Sequence, residues 1–374
     1  MSFETGTTSL MICPLRNPMP EDFLNCFDSF SAGRLDDVKA DPVIGWVSGR
    51  HLLECEINDN TSICGGHLHI NLRKAQRKIP PALLNAICRR EELAWMMAND
   101  QIFVPRKERK KIKEDAIERN LMKMPPVISA VTAVVDRALN VLYLGTASPK
   151  QFDEFIMEFT RALGASCEPV PLSPDELMIK LFKKSETDLP TLSFHEKNGA
   201  GDEPAPGRDF LTWLWFFAET KLGVCKHPEY GEFTLAFEGP LTLAYTPEKA
   251  KDPQLGGAGE TTVRRGNPMS SGEAKAALAS GKKLRKAKIM LVRGSTDKWS
   301  FTFDADTFTF SSLSLPEGEE EELDSRFEER VMFLHILHSA LESYFRLFVE
   351  SLQPGRLAET EKAVRKWAAD HESY

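Results

Sequence analysis

No run of about 18 apolar residues occurs in this chain, so a membrane-spanning helix is not expected. Its seven cysteines stand far apart, at 13, 26, 55, 64, 88, 167 and 225, and no two have C-x-x-C spacing. That pattern supports neither a disulfide framework nor a zinc knuckle, and it suits the reducing cytoplasm. The opening Met1-Ser2-Phe3-Glu4-Thr5 lacks a basic region and an apolar core, which argues against a secretory signal. G-x-S-x-G, H-E-x-x-H and Walker signatures are missing as well. Gly256-Gly257-Ala258-Gly259 shares only its glycine count with a phosphate-binding loop, because no G-K-[ST] follows.

What is present is an ordinary globular composition over 374 residues, 42% hydrophobic and 27% charged, long enough for two or three domains. The formal net charge of -8 argues against whole-surface binding of nucleic acid, so a polyanion would have to meet a local patch. One candidate patch is Thr262 to Arg293. It holds Arg264, Arg265, Lys275, Lys282, Lys283, Arg285, Lys286, Lys288 and Arg293 against the single acid Glu273. Two basic clusters joined by about one helix form the footprint of a phosphate-meeting surface, or else a strand end solubilised by lysines. A second candidate opens a helix: Arg106, Lys107, Arg109, Lys110, Lys111 and Lys113 against Glu108. Its narrow apolar stripe (Ile112, Ala116, Ile117, Leu121) suggests a projecting helical hairpin with one basic face, inserted at about 80–124.

Read in order, Ser9 to Leu15 is a strand, Pro20 to Phe30 a helix, and Gly45 to Gly49 a turn-like piece. His67 to Leu72 alternates, which places Leu68, Ile70 and Leu72 inward and His67 and His69 outward. Val127 to Val135 and Val141 to Leu144 form a strand pair, Pro149 to Leu163 an amphipathic helix, and a short strand runs to Pro171. Asp209 to Leu222 is apolar nearly all round and should be buried. Glu232 to Tyr245 reads as two strands broken at Gly239-Pro240, and Trp299 to Phe303 with Thr307 to Phe310 as another pair. Acids from Glu317 to Asp324 open a long helix whose apolar stripe, Phe327 to Leu352, is too wide for one packing partner, so a second copy is expected to share it. This order of elements points to an α+β fold with antiparallel sheets, divided as 1–172, 173–318 and 319–374.

Catalytic candidates are few. Asp304 and Asp306, two apart, could share a metal in a nuclease, the alternative to a non-catalytic chain, but further carboxylates are lacking. His67 with His69, and His335 with His338 and Glu342, read more simply as polar positions in packed elements than as metal ligands. A module that binds only protein is the third class.

The order of Gly45-Trp46-Val47, the basic helix at 106–123, the strand pair to Ala147-Ser148, and Glu168-Pro169-Val170-Pro171-Leu172 resembles the RdgC family of recombination-associated proteins. The basic loop and helix with Gly281-Lys282-Lys283, and the long C-terminal helix, continue the resemblance. It covers most of 1–172 and 260–353, while 183–259 looks longer than in the family and the tail from Pro354 looks added. The resemblance implies elongated bacterial subunits closing as a ring-shaped homodimer around double-stranded DNA, bound with little regard to sequence and limiting access of the RecA recombinase. It implies a cytoplasmic, nucleoid-associated protein that needs no cofactor or metal. The family's basic, basic, amide pattern falls on Arg265, Gly266 and Asn267, with Arg264 just upstream, and Gly266 departs from it. Taken with the two basic stretches, the candidate DNA contacts are Arg264, Arg265, Asn267, Lys282, Lys283, Arg285, Lys286 and Lys288, with Arg106, Lys107, Arg109, Lys110, Lys111 and Lys113 on the hairpin.

Overall fold

The computed structural model describes residues 3–195, 203–246, 258–264 and 271–370. The chain begins with β1 (Thr8–Pro14), α1 (Phe23–Asp28), β2 (Val43–Ser48), α2 (Asp59–Ser62), β3 (Ile63–Cys64) and β4 (His67–Arg77). Helices α3 (Pro81–Ala98) and α4 (Arg106–Leu121) separate β4 from β5 (Pro126–Asp136), after which come β6 (Val141–Leu144), α5 (Pro149–Leu163) and α6 (Pro174–Phe182). The remainder runs α7 (Pro206–Lys221), β7 (Val224–His227), β8 (Gly231–Ala244), β9 (Glu260–Val263), α8 (Gly272–Ala279), β10 (Lys283–Arg293), β11 (Asp297–Asp304), β12 (Thr309–Ser314), α9 (Leu323–Ser351) and α10 (Leu357–Ala369).

Among the described residues twelve strands join in one antiparallel sheet, ordered β2-β4-β5-β6-β1-β12-β11-β10-β8-β7, with β3 beside β4 and β9 beside β8. The class is α+β, as the order of elements suggests. β1 is the joint: Thr8 and Leu10 pair with β12, while Met11 to Pro14 pair with β6. Because side chains alternate along a strand, Leu10 and Ile12 enter one core and Met11 and Cys13 the other.

The core around α1 and α5 is aromatic. Trp46 meets Phe27 and Phe155 edge-to-face at 4.9 and 5.3 Å, and Phe155 stacks on Phe159. The apolar residues of α5 recur every three or four positions, so one stripe of that helix is buried. The second core lies under α7 and α9 and draws on residues from Phe3 to Ala368.

Several expectations change. Residues 43–48 are a strand rather than a turn: Trp46 is fully buried and pairs with Leu72, and Gly45 is required because a Cβ there would come within 2.7 Å of the Ala32 backbone. β8 runs unbroken through Gly239-Pro240, since β10 pairs with it on both sides of that point. The segment before Pro171 holds a single bridge, Leu15 to Pro169, instead of a strand. The polar face of β4 does not look outward. His69 is 3% exposed and stacks on Phe327 of α9 at 4.7 Å, because α9 covers that side of the sheet. The wide stripe of α9 is also covered by its own chain: Phe327, Val331, Leu334, Leu337, Leu341, Phe345, Phe348 and Leu352 are all buried. Two layers, the sheet and the α7 side, supply the packing that a second copy was expected to give.

Candidate nucleic-acid interface

The basic stretch on β10 proves to be charge-matched. Lys283 is 4% exposed, its Nζ 2.5 Å from Asp209 of α7. Lys282 is 8% exposed and donates to Thr261 Oγ1 at 2.7 Å beneath the ring of Tyr245. Neither ammonium is placed to meet a phosphate, which corrects their assignment as contacts. Both follow the tight turn after α8, where Gly281 has φ 92, and this turn feeds them under β9 and α7.

Along the rest of the strand, acids from neighbouring strands stand opposite the bases. Lys286 lies 2.9 Å from its register partner Asp304, Lys288 lies 3.0 Å from Glu238, and Arg293 lies 2.5 Å from Asp297. Arg285 meets Glu260 at 2.7 Å and Asp306 at 3.4 Å. These side chains are partly exposed, so each pair contributes modestly to stability, but each cancels a charge that composition alone would assign to the surface. Lys275 is taken inward too: its Nζ sits 3.3 Å from the centre of the Trp367 ring and 3.1 Å from Glu219, and burial pulls its pKa down to about 8 against the raising effect of Glu219. Arg264 is exposed with no ion pair among the described residues. Arg265, Gly266 and Asn267 lie outside the described residues.

The α3–α4 pair is built differently. α3 buries no residue and α4 buries only Ala116, so the two helices pack chiefly on each other. Arg109 of α4 reaches Glu92 of α3 at 3.1 Å, and Lys110 pairs with Glu114 at 3.6 Å. Arg106, Lys107, Lys111 and Lys113 are exposed and make no ion pair among the described residues. By the 3.6-residue period Arg106, Lys110 and Lys113 share one side of the helix. The pair is rooted by Arg77 at the end of β4, which donates to the carbonyls of Val38 (2.8 Å), Leu35 (3.2 Å) and Met124, just past α4. Arg73 does the same for Leu52 and Gly33. Sequence reading missed both arginines, although the alternation that sets Leu68, Ile70 and Leu72 on one face of β4 places Arg73 and Arg77 on the other, with His69 and Ala75.

The acidic candidates do not assemble as a metal site. Asp306 receives a bidentate pair from Arg208 at 2.6 and 2.7 Å, and Asp304 is held by Lys286 and by the Asp306 N–H. His338 contacts Glu342 at 3.0 Å. Two partners, His338 and Lys180, hold the Glu342 carboxyl down to about 2 even though burial pushes it up. Among the described residues no group of three or more His, Cys, Asp or Glu is arranged to hold a metal ion. A cleft of about 450 Å³ between α9 and the β5–β6 turn is lined by His67, Asp136, Glu320, Glu328, Glu329 and His335, a lining that repels phosphate. Burial lowers the pKa of His67 despite Asp136 and Glu328, so the imidazole adds no positive charge at neutral pH. No helix of the described residues is long and apolar enough to cross a membrane.

A model of the family described as "Putative exonuclease, RdgC" matches residues 39–180, a span running from before β2 into α6 and containing the α3–α4 pair. No curated protein matches the chain.

Proposed function

We propose that this chain, which carries an RdgC family domain over residues 39–180, is a non-catalytic binder of double-stranded DNA with little sequence preference. The observation that carries the reading is the exposed surface of α4: Arg106, Lys107, Lys111 and Lys113 are exposed cations with no acidic partner among the described residues, inside the matched segment of a chain whose net charge is -8. Such a face gains affinity by releasing the counterions condensed on DNA, a gain that reads phosphates and not bases. Arg264 adds one exposed charge from the β9 end. The reading extends to closure of two subunits as a ring-shaped homodimer, because one subunit alone cannot encircle a duplex. A closed ring on DNA would restrain RecA-dependent recombination by occupying the strand the recombinase needs, and would place the protein on the nucleoid.

The test is fluorescence anisotropy of the full chain with two unrelated duplexes across a salt series, together with sedimentation. Equal affinities that fall with salt, from a dimer, are expected. Incubation with linear and nicked duplex plus magnesium or manganese checks the alternative of a metal-dependent nuclease. Cleavage that disappears in Asp304→Asn would replace the non-catalytic reading, and absence of any shift at low salt would leave a protein-binding module.

A further inference from the structure

The connection between α3 and α4 holds large apolar side chains out in solvent. Ile102 is 97% exposed, Met97 85% and Phe103 68%, whereas Val104, one position on, is 5% exposed. The turn therefore has a place to bury an apolar residue and uses it for Val104 alone. Its backbone is fixed: Asp100 takes φ 50, the Gln101 N–H closes back to the Met96 carbonyl at 3.0 Å, and the Asn99 N–H reaches Trp95 at 3.1 Å. That is the Schellman closure of a helix end, with a left-handed residue just past the cap. Pro105 then sets the start of α4. Ile102 and Phe103 are thus presented on an ordered turn, and a contiguous exposed apolar patch of this kind marks a contact surface.

Charge says which partner fits. Arg106 and Lys107 follow the patch directly, Lys111 stands one turn on, and none of the three has an acidic partner among the described residues. Two copies meeting tip to tip would bring these like charges together, whereas a polyanion would be held by them. We propose that this tip is a wedge for DNA, inserting Ile102 and Phe103 where the base stack is already broken while Arg106, Lys107 and Lys111 hold the flanking phosphates. The inference rests on the DNA-binding reading and deepens it. Apolar wedges enter base steps at the expense of unstacking, and a nick or gap removes most of that expense. The wedge should therefore favour interrupted duplex over continuous duplex.

The experiment compares the full chain on a continuous duplex and on one of the same length and sequence with a single-nucleotide gap, using anisotropy and a 2-aminopurine base beside the gap. The wild type should bind the gapped duplex about tenfold more tightly, the lower part of what one base–aromatic stack contributes. The double variant Ile102→Ser/Phe103→Ser should lose that preference and the 2-aminopurine response while keeping its affinity and salt dependence on continuous duplex, and Phe103→Trp should retain both. Equal wild-type affinity for the two duplexes would overturn the wedge and leave DNA binding standing. No binding to either would remove the DNA reading and the wedge with it. A double variant that sediments as a monomer where the wild type is a dimer would assign the tip to a second copy, and wild-type binding to phosphatidylglycerol vesicles that the double variant loses would assign it to a membrane surface. Either result overturns the proposal.

Discussion

Replacing Arg106, Lys107, Lys111 and Lys113 together by Ala should remove up to four phosphate contacts, and the slope of log K against log salt should flatten by about 0.9 for each, or about 3.6 in all. Between 50 and 200 mM salt, a fourfold change, that slope corresponds to roughly 150-fold in affinity that the wild type loses and the variant does not. The matched control is Arg285→Ala/Lys286→Ala/Lys288→Ala on β10. Those three bases already face Glu260, Asp306, Asp304 and Glu238 within 3.4 Å, so a phosphate would have to displace a carboxylate to reach them. Their removal should leave the slope essentially unchanged. It should instead lower stability by about 1–2 kcal/mol, the sum expected of partly exposed pairs. Anisotropy over five salt concentrations measures the slopes, and urea unfolding measures the stability. A β10 variant that flattens the slope as much as the α4 variant would refute the argument that intramolecular pairing takes a base out of the interface.

Lys283→Met should destabilise the fold by about 3 kcal/mol or more, because Asp209 is left buried without its counter-charge, and adding Asp209→Asn should recover part of that loss while DNA affinity stays put throughout. Burial holds His69 at about 4 against an ordinary 6.5, so the unfolded chain takes up a proton between those values that the folded chain does not. Stability is therefore full above pH 6.5 and falls as pH drops through the window, by about 3 kcal/mol from His69 alone, with His67 and His335 shifted in the same direction. Glu342, held at about 2, contributes stability that is lost only below its ordinary 4.5, so urea midpoints at pH 7.5 and 4.5 isolate the histidines. His69→Phe should shrink the difference between those midpoints, and an unchanged difference would count against the assignment.

Elements whose apolar spacing is set locally were legible in the sequence. Pro149 to Leu163 is the helix its 3.6-residue stripe describes, and the pair Val127 to Val135 and Val141 to Leu144 falls within β5 and β6. What periodicity could not supply was the number of layers. β4 alternates as a half-exposed strand would, yet α9, far along the chain, covers the face that carries His69. The stripe of α9 called for two partners, and both turned out to lie in the same chain. Counting charges misled on β10 for the same reason: the acids opposing Lys283, Lys288 and Arg285 come from α7, β8 and β9, so a local count of nine bases to one acid between 262 and 293 describes the sequence and not the surface. On α4 the local count held: among the described residues its cations pair with Glu92 of α3 and with Glu114 of α4 itself, and Arg106, Lys107, Lys111 and Lys113 with neither.

The same side-chain types therefore do opposite work in the two regions, and burial decides which. Where a cation enters the interior it must be matched, either by a carboxylate, as with Lys283 and Arg208, or by carbonyls, as with Arg73 and Arg77. Where the chain builds no interior, as in α3 and α4, cations cost nothing to leave unpaired and keep their charge for a partner. Arg77 links the two regimes: its guanidinium binds Val38 and Leu35 on one side and Met124 beyond α4 on the other. One buried arginine thus ties the root of the charged helix pair to the sheet, while the pair itself contributes almost nothing to either core.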